Sequence, residues 1–206
     1  MEPATQDNGS GLFQTKVHMT LRNAWLALAA ASLLSACQHL SQAPADTHHQ
    51  LLISIPDQQM VLLEDGVVQG RWPVSTAKRG VGDDPDSYMT PAGELEVAEK
   101  IGDGLPPGSV LKDRKPTGEI VGADAPGRDP VVTRILWLRG LEERNRNAYQ
   151  RFIYIHGTPQ ESLIGQPASY GCIRMRSADI TGLYARIGAG TRVRIAEQPL
   201  SELLPR

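Results

Sequence analysis

Between Leu51 and Ala196 no single secondary-structure pattern is sustained for long. Seven runs rich in aliphatic and β-branched residues, each five to eight residues long, are separated by turn formers. They are Leu51–Ile55, Gln59–Leu63, Val67–Val74, Glu94–Ala98, Val131–Leu138, Phe152–His156 and Thr191–Ala196. Short apolar runs between Gly and Pro breaks predict strands, because a helix needs a longer stretch of 3.6-residue periodicity to bury one face. The 20 Gly and 15 Pro supply those breaks. Glu64-Asp65-Gly66 reads as a hairpin turn, since Asp-Gly takes up positive φ readily. One stretch in this region has helical spacing. Ile180, Leu183, Tyr184 and Ile187 recur at i, i+3, i+4 and i+7, with Ser177 placed to cap the start and Gly188 to end it. The expectation is a mainly β domain of short strands, sandwich- or barrel-like, with one helix after Cys172. A chain of 206 residues has room for one such domain.

The remaining segments read as connections. Residues 102–130 hold five Pro and six Gly with few apolar side chains. They predict an irregular insertion with a short hairpin turning around Thr117-Gly118, and a loop of that length suits a lid. Residues 140–150 are polar and fit a short helix or an ordered loop. Residues 197–206 are expected to be a peripheral tail.

The N-terminus carries a different signal. Residues 24–34 form an apolar run of eleven, short for a bilayer span and suited to the core of a signal peptide. Arg22 precedes it, and Leu34-Ser35-Ala36-Cys37 follows, a tetrapeptide resembling a bacterial lipobox in which Cys37 is acylated. Translation starting at Met19 would leave Met-Thr-Leu-Arg-Asn before the core and remove the acidic Glu2 and Asp7. An uncleaved anchor helix is the alternative. Removal of residues 1–36 as a signal peptide would leave Cys37 as the acylated N-terminus of a lipid-anchored periplasmic protein. Gln38, standing where an Asp would favour the inner membrane, points to the outer membrane. Residues 37–50 then form a polar linker, with His48 and His49 solvated on it. With 21 basic and 23 acidic residues and no basic run, nucleic acid is not an expected partner.

Of the five histidines, four precede the first strand-like run, so His156 is the only imidazole in the globular part. The chain has two cysteines. If Cys37 carries lipid, Cys172 is a lone thiol in an oxidising compartment. It is either an inert buried side chain or a nucleophile. Gly171 before it and Arg174 after it suggest a turn at a cleft. A strand ending in His156, a turn-rich loop and a Gly-Cys pair can bring imidazole and thiol together, and an adjacent imidazole can hold the sulfur as thiolate.

Four pieces in order resemble the L,D-transpeptidase catalytic domain of the YkuD type. They are Pro73-Val74-Ser75-Thr76, Thr90-Pro91-Ala92-Gly93-Glu94, Ile155-His156-Gly157-Thr158, and Ile164-Gly165 through Ser169-Tyr170-Gly171-Cys172-Ile173-Arg174-Met175. They spread across residues 51–196. The resemblance implies a cell-wall enzyme acting on peptidoglycan stem peptides. Cys172 would attack the diaminopimelate carbonyl and expel the terminal D-alanine, with His156 as general base and then acid. The Gly157 carbonyl would orient the ring, and the backbone N–H groups of Tyr170, Gly171 and Cys172 would form the oxyanion hole. Ser169, Tyr170 and Arg174 would bind substrate, Arg174 through a stem carboxylate; Arg174 paired with Asp179 at the surface is the alternative. No cofactor or metal is implied, and a monomer is expected. The family pattern has His directly before Gly-Cys where this chain has Tyr170, either a substrate-contacting or a packing aromatic. Two other readings remain open: a non-catalytic peptidoglycan-binding lipoprotein, and a carboxypeptidase or hydrolase using water at the same site.

Overall fold

The computed structural model describes residues 44–204. The apolar leader, the Leu34–Cys37 box and Cys37 lie outside the described residues. Among those described, ten strands form: β1 (His49–Ser54), β2 (Gln59–Glu64), β3 (Val67–Pro73), β4 (Gly93–Ile101), β5 (Ser109–Lys112), β6 (Lys115–Ile120), β7 (Val132–Gly140), β8 (Tyr154–Gly157), β9 (Ile173–Met175) and β10 (Arg192–Ala196). Helices α1 (Ser177–Arg186) and α2 (Leu200–Leu203), with 3-10 turns at Glu143–Asn145, inside the expected 140–150 segment, and Glu161–Leu163, complete the fold. Each of the seven expected strands is present, and the mainly β expectation holds. The sheet order is β3-β2-β1-β10-β4-β7-β5-β6, with β8 paired to β7 and β9 paired to β8. Two pairings are parallel, β1 with β10 and β8 with β9.

The apolar runs are continuous because several strands are covered on both faces, which removes the in–out alternation of a half-exposed strand. Leu51 and Ile53 of β1 enter the main core with Met60, Leu62, Leu136, Leu138, Ile155 and Ile173. Leu52 points the other way, onto Val61, Leu63 and Leu200. Along β7, Ile135 and Trp137 leave the main core to join Leu111 and Tyr154 beside Cys172. Burying one such side chain contributes about 2 kcal/mol. The exposed Arg139–Glu96 pair, 3.0 Å apart, adds at most about 1 kcal/mol. Apolar packing therefore holds the sheet.

Helix α1 buries Ile180, Leu183 and Tyr184, as the spacing requires. Its start differs from expectation. Ser177 is the first helical residue, and its backbone N–H donates to the Glu161 carboxylate at 2.8 Å. Its hydroxyl accepts from Thr133. A remote carboxylate thus fills the role expected of a local cap, and it also suits the positive end of the helix dipole.

Three other expectations are corrected. Residues 102–130 do contain a hairpin, β5–β6, but it turns at Asp113 and Arg114, whose φ values are 49° and 66°. Gly118 lies inside β6, beside the register shift between Ser109 and Leu111. The tail is not peripheral: α2 packs Leu200 onto β1 and β2. The end of the expected linker is folded as well. Its His49 opens β1, and Asp46 accepts hydrogen bonds from Gly188 N–H at 2.7 Å and from the Thr191 hydroxyl at 2.9 Å. His49 Nδ1 lies 2.8 Å from the same carboxylate, so this histidine is bound where solvation was expected.

Candidate active site

The parallel β8–β9 pair sets Ile155 against Ile173, His156 against Arg174 and Gly157 against Met175. Side chains alternate faces along a strand. Ile155, Ile173 and Met175 enter the main core, so His156 and Arg174 emerge together on the opposite face. Cys172, two residues before Arg174, shares that face as the diagonal neighbour of His156. Strand register thus places imidazole and guanidinium over one floor, and Cys172, just before β9, lines the same cleft.

The Gly-Cys turn is held by the segments that carry the other sequence motifs. Ser75 and Arg174 exchange backbone hydrogen bonds of 3.0 and 2.9 Å. Thr76 carbonyl accepts from both Ala168 and Ser169 N–H at 2.9 Å. The Thr90 hydroxyl donates to Gly171 carbonyl at 3.0 Å. Ser169 hydroxyl donates to Cys172 carbonyl at 2.6 Å and accepts from Gly171 N–H at 3.2 Å. Gly171 has φ +127°, and a Cβ there would stand 3.2 Å from Ile153 Cδ1 and 3.3 Å from Met89 carbonyl. Both conformation and space demand glycine. Arg151 braces the outer wall, donating to Asp83, Ser87 and the carbonyls of Gly82 and Met89.

The sulfur of Cys172 accepts from Tyr154 N–H and lies 3.4 Å from Phe152 carbonyl. Phe152 has φ 58°, an uncommon value for a bulky residue, and it aims that carbonyl at the thiol. His156 Nδ1 is 2.8 Å from Gly157 carbonyl, which fixes the proton on Nδ1 and leaves Nε2 as the basic nitrogen. Burial lowers the imidazole to about 4, with Arg174 adding to the effect against the Gly157 bond. Burial pushes the Cys172 thiol up to about 11, opposed by Tyr154 N–H and by Arg174 and Arg151. Both shifts favour the uncharged forms, thiol and imidazole, because burial takes solvent from either charge.

His156, Ser169, Tyr170, Cys172 and Arg174 line one cleft of about 550 Å³ together with Lys78, Asp129 and Gln160. A second cleft of about 340 Å³, lined by Asp86, Tyr88, Arg151 and Phe152 among others, shares Tyr170 and Cys172 with the first. The thiol therefore stands at the junction of two approaches. Arg174 is buried and paired with Asp129 at 2.5 Å, with Gln160 Oε1 accepting from its other arm at 3.2 Å. Asp179 instead faces Arg176, at 4.0 Å.

Residues 48–195 match the model of the YkuD L,D-transpeptidase catalytic domain. The chain belongs to that family. A Bacillus subtilis (strain 168) relative bearing the name "Putative L,D-transpeptidase YqjB" is 25% identical over 169 residues, covering 80% of this chain and 81% of its own. A crystal structure of L,D-transpeptidase 3 from Mycobacterium tuberculosis, in complex with a faropenem-derived adduct, aligns with a TM-score of 0.49 and 19% identity. That alignment covers 73% of this chain, which spans 60% of the solved one.

Within this L,D-transpeptidase domain, Tyr170 is 68% exposed and meets Tyr88 edge-on with ring centroids 6.1 Å apart. It lines both clefts at their junction. Lys78, Asp129, Gln160 and Arg151 were not singled out from the sequence. Asp129 is hidden in a Pro/Gly-rich stretch, and nothing local marks it as the partner of a residue 45 positions later. Arg151 precedes an apolar run and reads as an ordinary strand-flanking charge.

Proposed function

We propose that this domain catalyses L,D-transpeptidation through a Cys172 thioester. The observation that carries the reading is that His156 and Cys172 line one cleft, with Cys172 also opening onto a second. With the thiol held at about 11, only about one part in 10⁴ is thiolate at neutral pH, so a base must act during attack. Neutral His156 supplies it: Nε2 takes the thiol proton as Sγ bonds to the diaminopimelate carbonyl carbon. The imidazolium then gives that proton to the departing amine of the terminal D-alanine as the C–N bond breaks. An acceptor amine attacks the thioester in turn, His156 accepts a proton from it, and the thiol is restored. The Gly171 N–H is taken by Ser169, whereas those of Tyr170 and Cys172 have no partner among the described residues. These two are the donors for the oxyanion, each worth about 3 kcal/mol of transition-state stabilisation. Entry of donor and acceptor from separate clefts avoids a collision at one sulfur.

Incubation with a disaccharide-tetrapeptide, followed by intact-protein mass spectrometry, tests the reading. Expected is a mass gain at Cys172, absent in Cys172→Ala, and its release on adding an amine acceptor. No adduct on a folded protein would return the domain to a binding role, and release by water alone would make it a hydrolase. We also propose, from the Leu34–Cys37 sequence, that Cys37 is lipidated and the domain faces the periplasm from the outer membrane. Membrane fractionation of Cys37→Ser against the parent tests this, with loss of the outer-membrane fraction expected.

A further inference from the structure

We propose that Lys78 selects the acyl donor by binding a free carboxylate of the stem peptide in the cleft that holds Cys172. The inference rests on the transpeptidase reading and assigns the specificity of the same site. Diaminopimelate has two amino-acid ends. The end within the stem carries the carbonyl that the thiol attacks, so the far end presents a free carboxylate.

Arg174 is the obvious partner for that group, but its guanidinium is already used. One arm is bound to Asp129 at 2.5 Å and the other to Gln160 at 3.2 Å, with the side chain 6% exposed. Asp129 is itself fixed by the Thr158 hydroxyl at 2.6 Å. A substrate carboxylate entering there would strand the Asp129 carboxylate in a buried place, at a cost exceeding the new contact. Lys78 is the opposite case. It lines the same cleft, its side chain is exposed, and among the described residues its ammonium has no acidic partner. Its backbone is not free to wander, because Lys78 N–H donates to Ser169 carbonyl at 3.1 Å, three residues before the nucleophile. Of the charged groups lining the cleft, Asp129 and Arg174 cancel and His156 is neutral, which leaves one positive charge, on Lys78. Apolar walls from Val131, Leu163 and Ala168 keep that charge less screened than it would be on an open surface.

The test compares two synthetic disaccharide-tetrapeptides, one with the far carboxylate free and one with it as carboxamide. Acylation is followed by intact-protein mass spectrometry for the parent protein, Lys78→Met, Lys78→Arg and Arg174→Lys. Expected is a preference of about tenfold in kcat/KM for the free acid in the parent, arising in KM. The preference falls to about unity in Lys78→Met and returns in Lys78→Arg, which keeps the charge. Preference retained in Lys78→Met but lost in Arg174→Lys would overturn the assignment in favour of Arg174. Equal rates for both peptides in the parent would overturn it as well, while leaving the transpeptidase reading intact. No adduct with either peptide would remove both.

Discussion

Arg174 stands directly across β8–β9 from His156, and its guanidinium is clamped to Asp129. Both side chains of the ion pair are largely buried, 6% and 16% exposed, so removing one leaves a charge without a partner. Arg174→Ala and Asp129→Ala are each expected to cost about 3 kcal/mol in urea unfolding. The double variant should cost less than the sum, because the second change removes the stranded charge. Additive losses would show that the two groups do not interact in solution.

The neutral thiol–imidazole pair makes a kinetic prediction. Burial, not His156, sets the thiol, so the iodoacetamide rate should climb with pH toward a midpoint near 11. His156→Gln should leave that midpoint in place while slowing acylation by peptide about 10² to 10⁴-fold. For the parent, kcat/KM for acylation should be level between the imidazole midpoint near 4 and the thiol midpoint near 11, falling on either side. An alkylation midpoint near 6 or 7 that rises in His156→Gln would instead reveal a preformed thiolate–imidazolium pair.

Local sequence made much of this site legible, and long-range partnership explains the rest. His156, Cys172 and the Gly171 turn announce themselves through rare residue types and the turn signal of a glycine before the cysteine. Ser75, Thr76 and Thr90 were readable as motifs, yet only the folded chain shows that their polar groups hold the Gly-Cys turn. The hairpin turn at Asp113-Arg114 uses two non-glycine residues at positive φ, which composition marks less than the nearby Gly118. Leu200 and Asp46 lie in polar surroundings at the two ends of the domain. Their packing partners, Leu63 and Thr191, are more than 130 residues away in the chain.

Acid should lower the stability of the domain in two steps. His156 is held at about 4 against an ordinary 6.5. As pH falls below 6.5 the unfolded chain takes up this proton first, so stability drops by about 3 kcal/mol and levels off below pH 4. Asp46 moves the other way. Burial alone would raise it, but Gly188 N–H, the Thr191 hydroxyl and His49 together hold it at about 2 against 3.8. Its contribution, about 2 kcal/mol, is complete above the unfolded value and is lost as pH falls from 3.8 toward 2. Urea midpoints measured across this range should lose the upper step in His156→Gln and the lower step in Asp46→Asn. An unchanged lower step in Asp46→Asn would mean that the N-terminal clasp does not form.

Gly171→Ala separates the shape of the turn from the identity of the nucleophile. At φ +127° an alanine is strained, and its methyl would press on Ile153 and on the Met89 carbonyl that Arg151 holds. The easiest relief is a peptide rotation, which swings the Cys172 N–H away from the oxyanion position. Acylation should therefore fall at least about 10²-fold, the loss expected for one oxyanion donor. Iodoacetamide needs no oxyanion hole, so alkylation of Cys172 should stay within about threefold of the parent, while unfolding in urea registers a loss of about 2 kcal/mol. Equal losses in alkylation and acylation would show that the methyl displaces the sulfur itself, and the Cys172 N–H would then have no separate part in the chemistry.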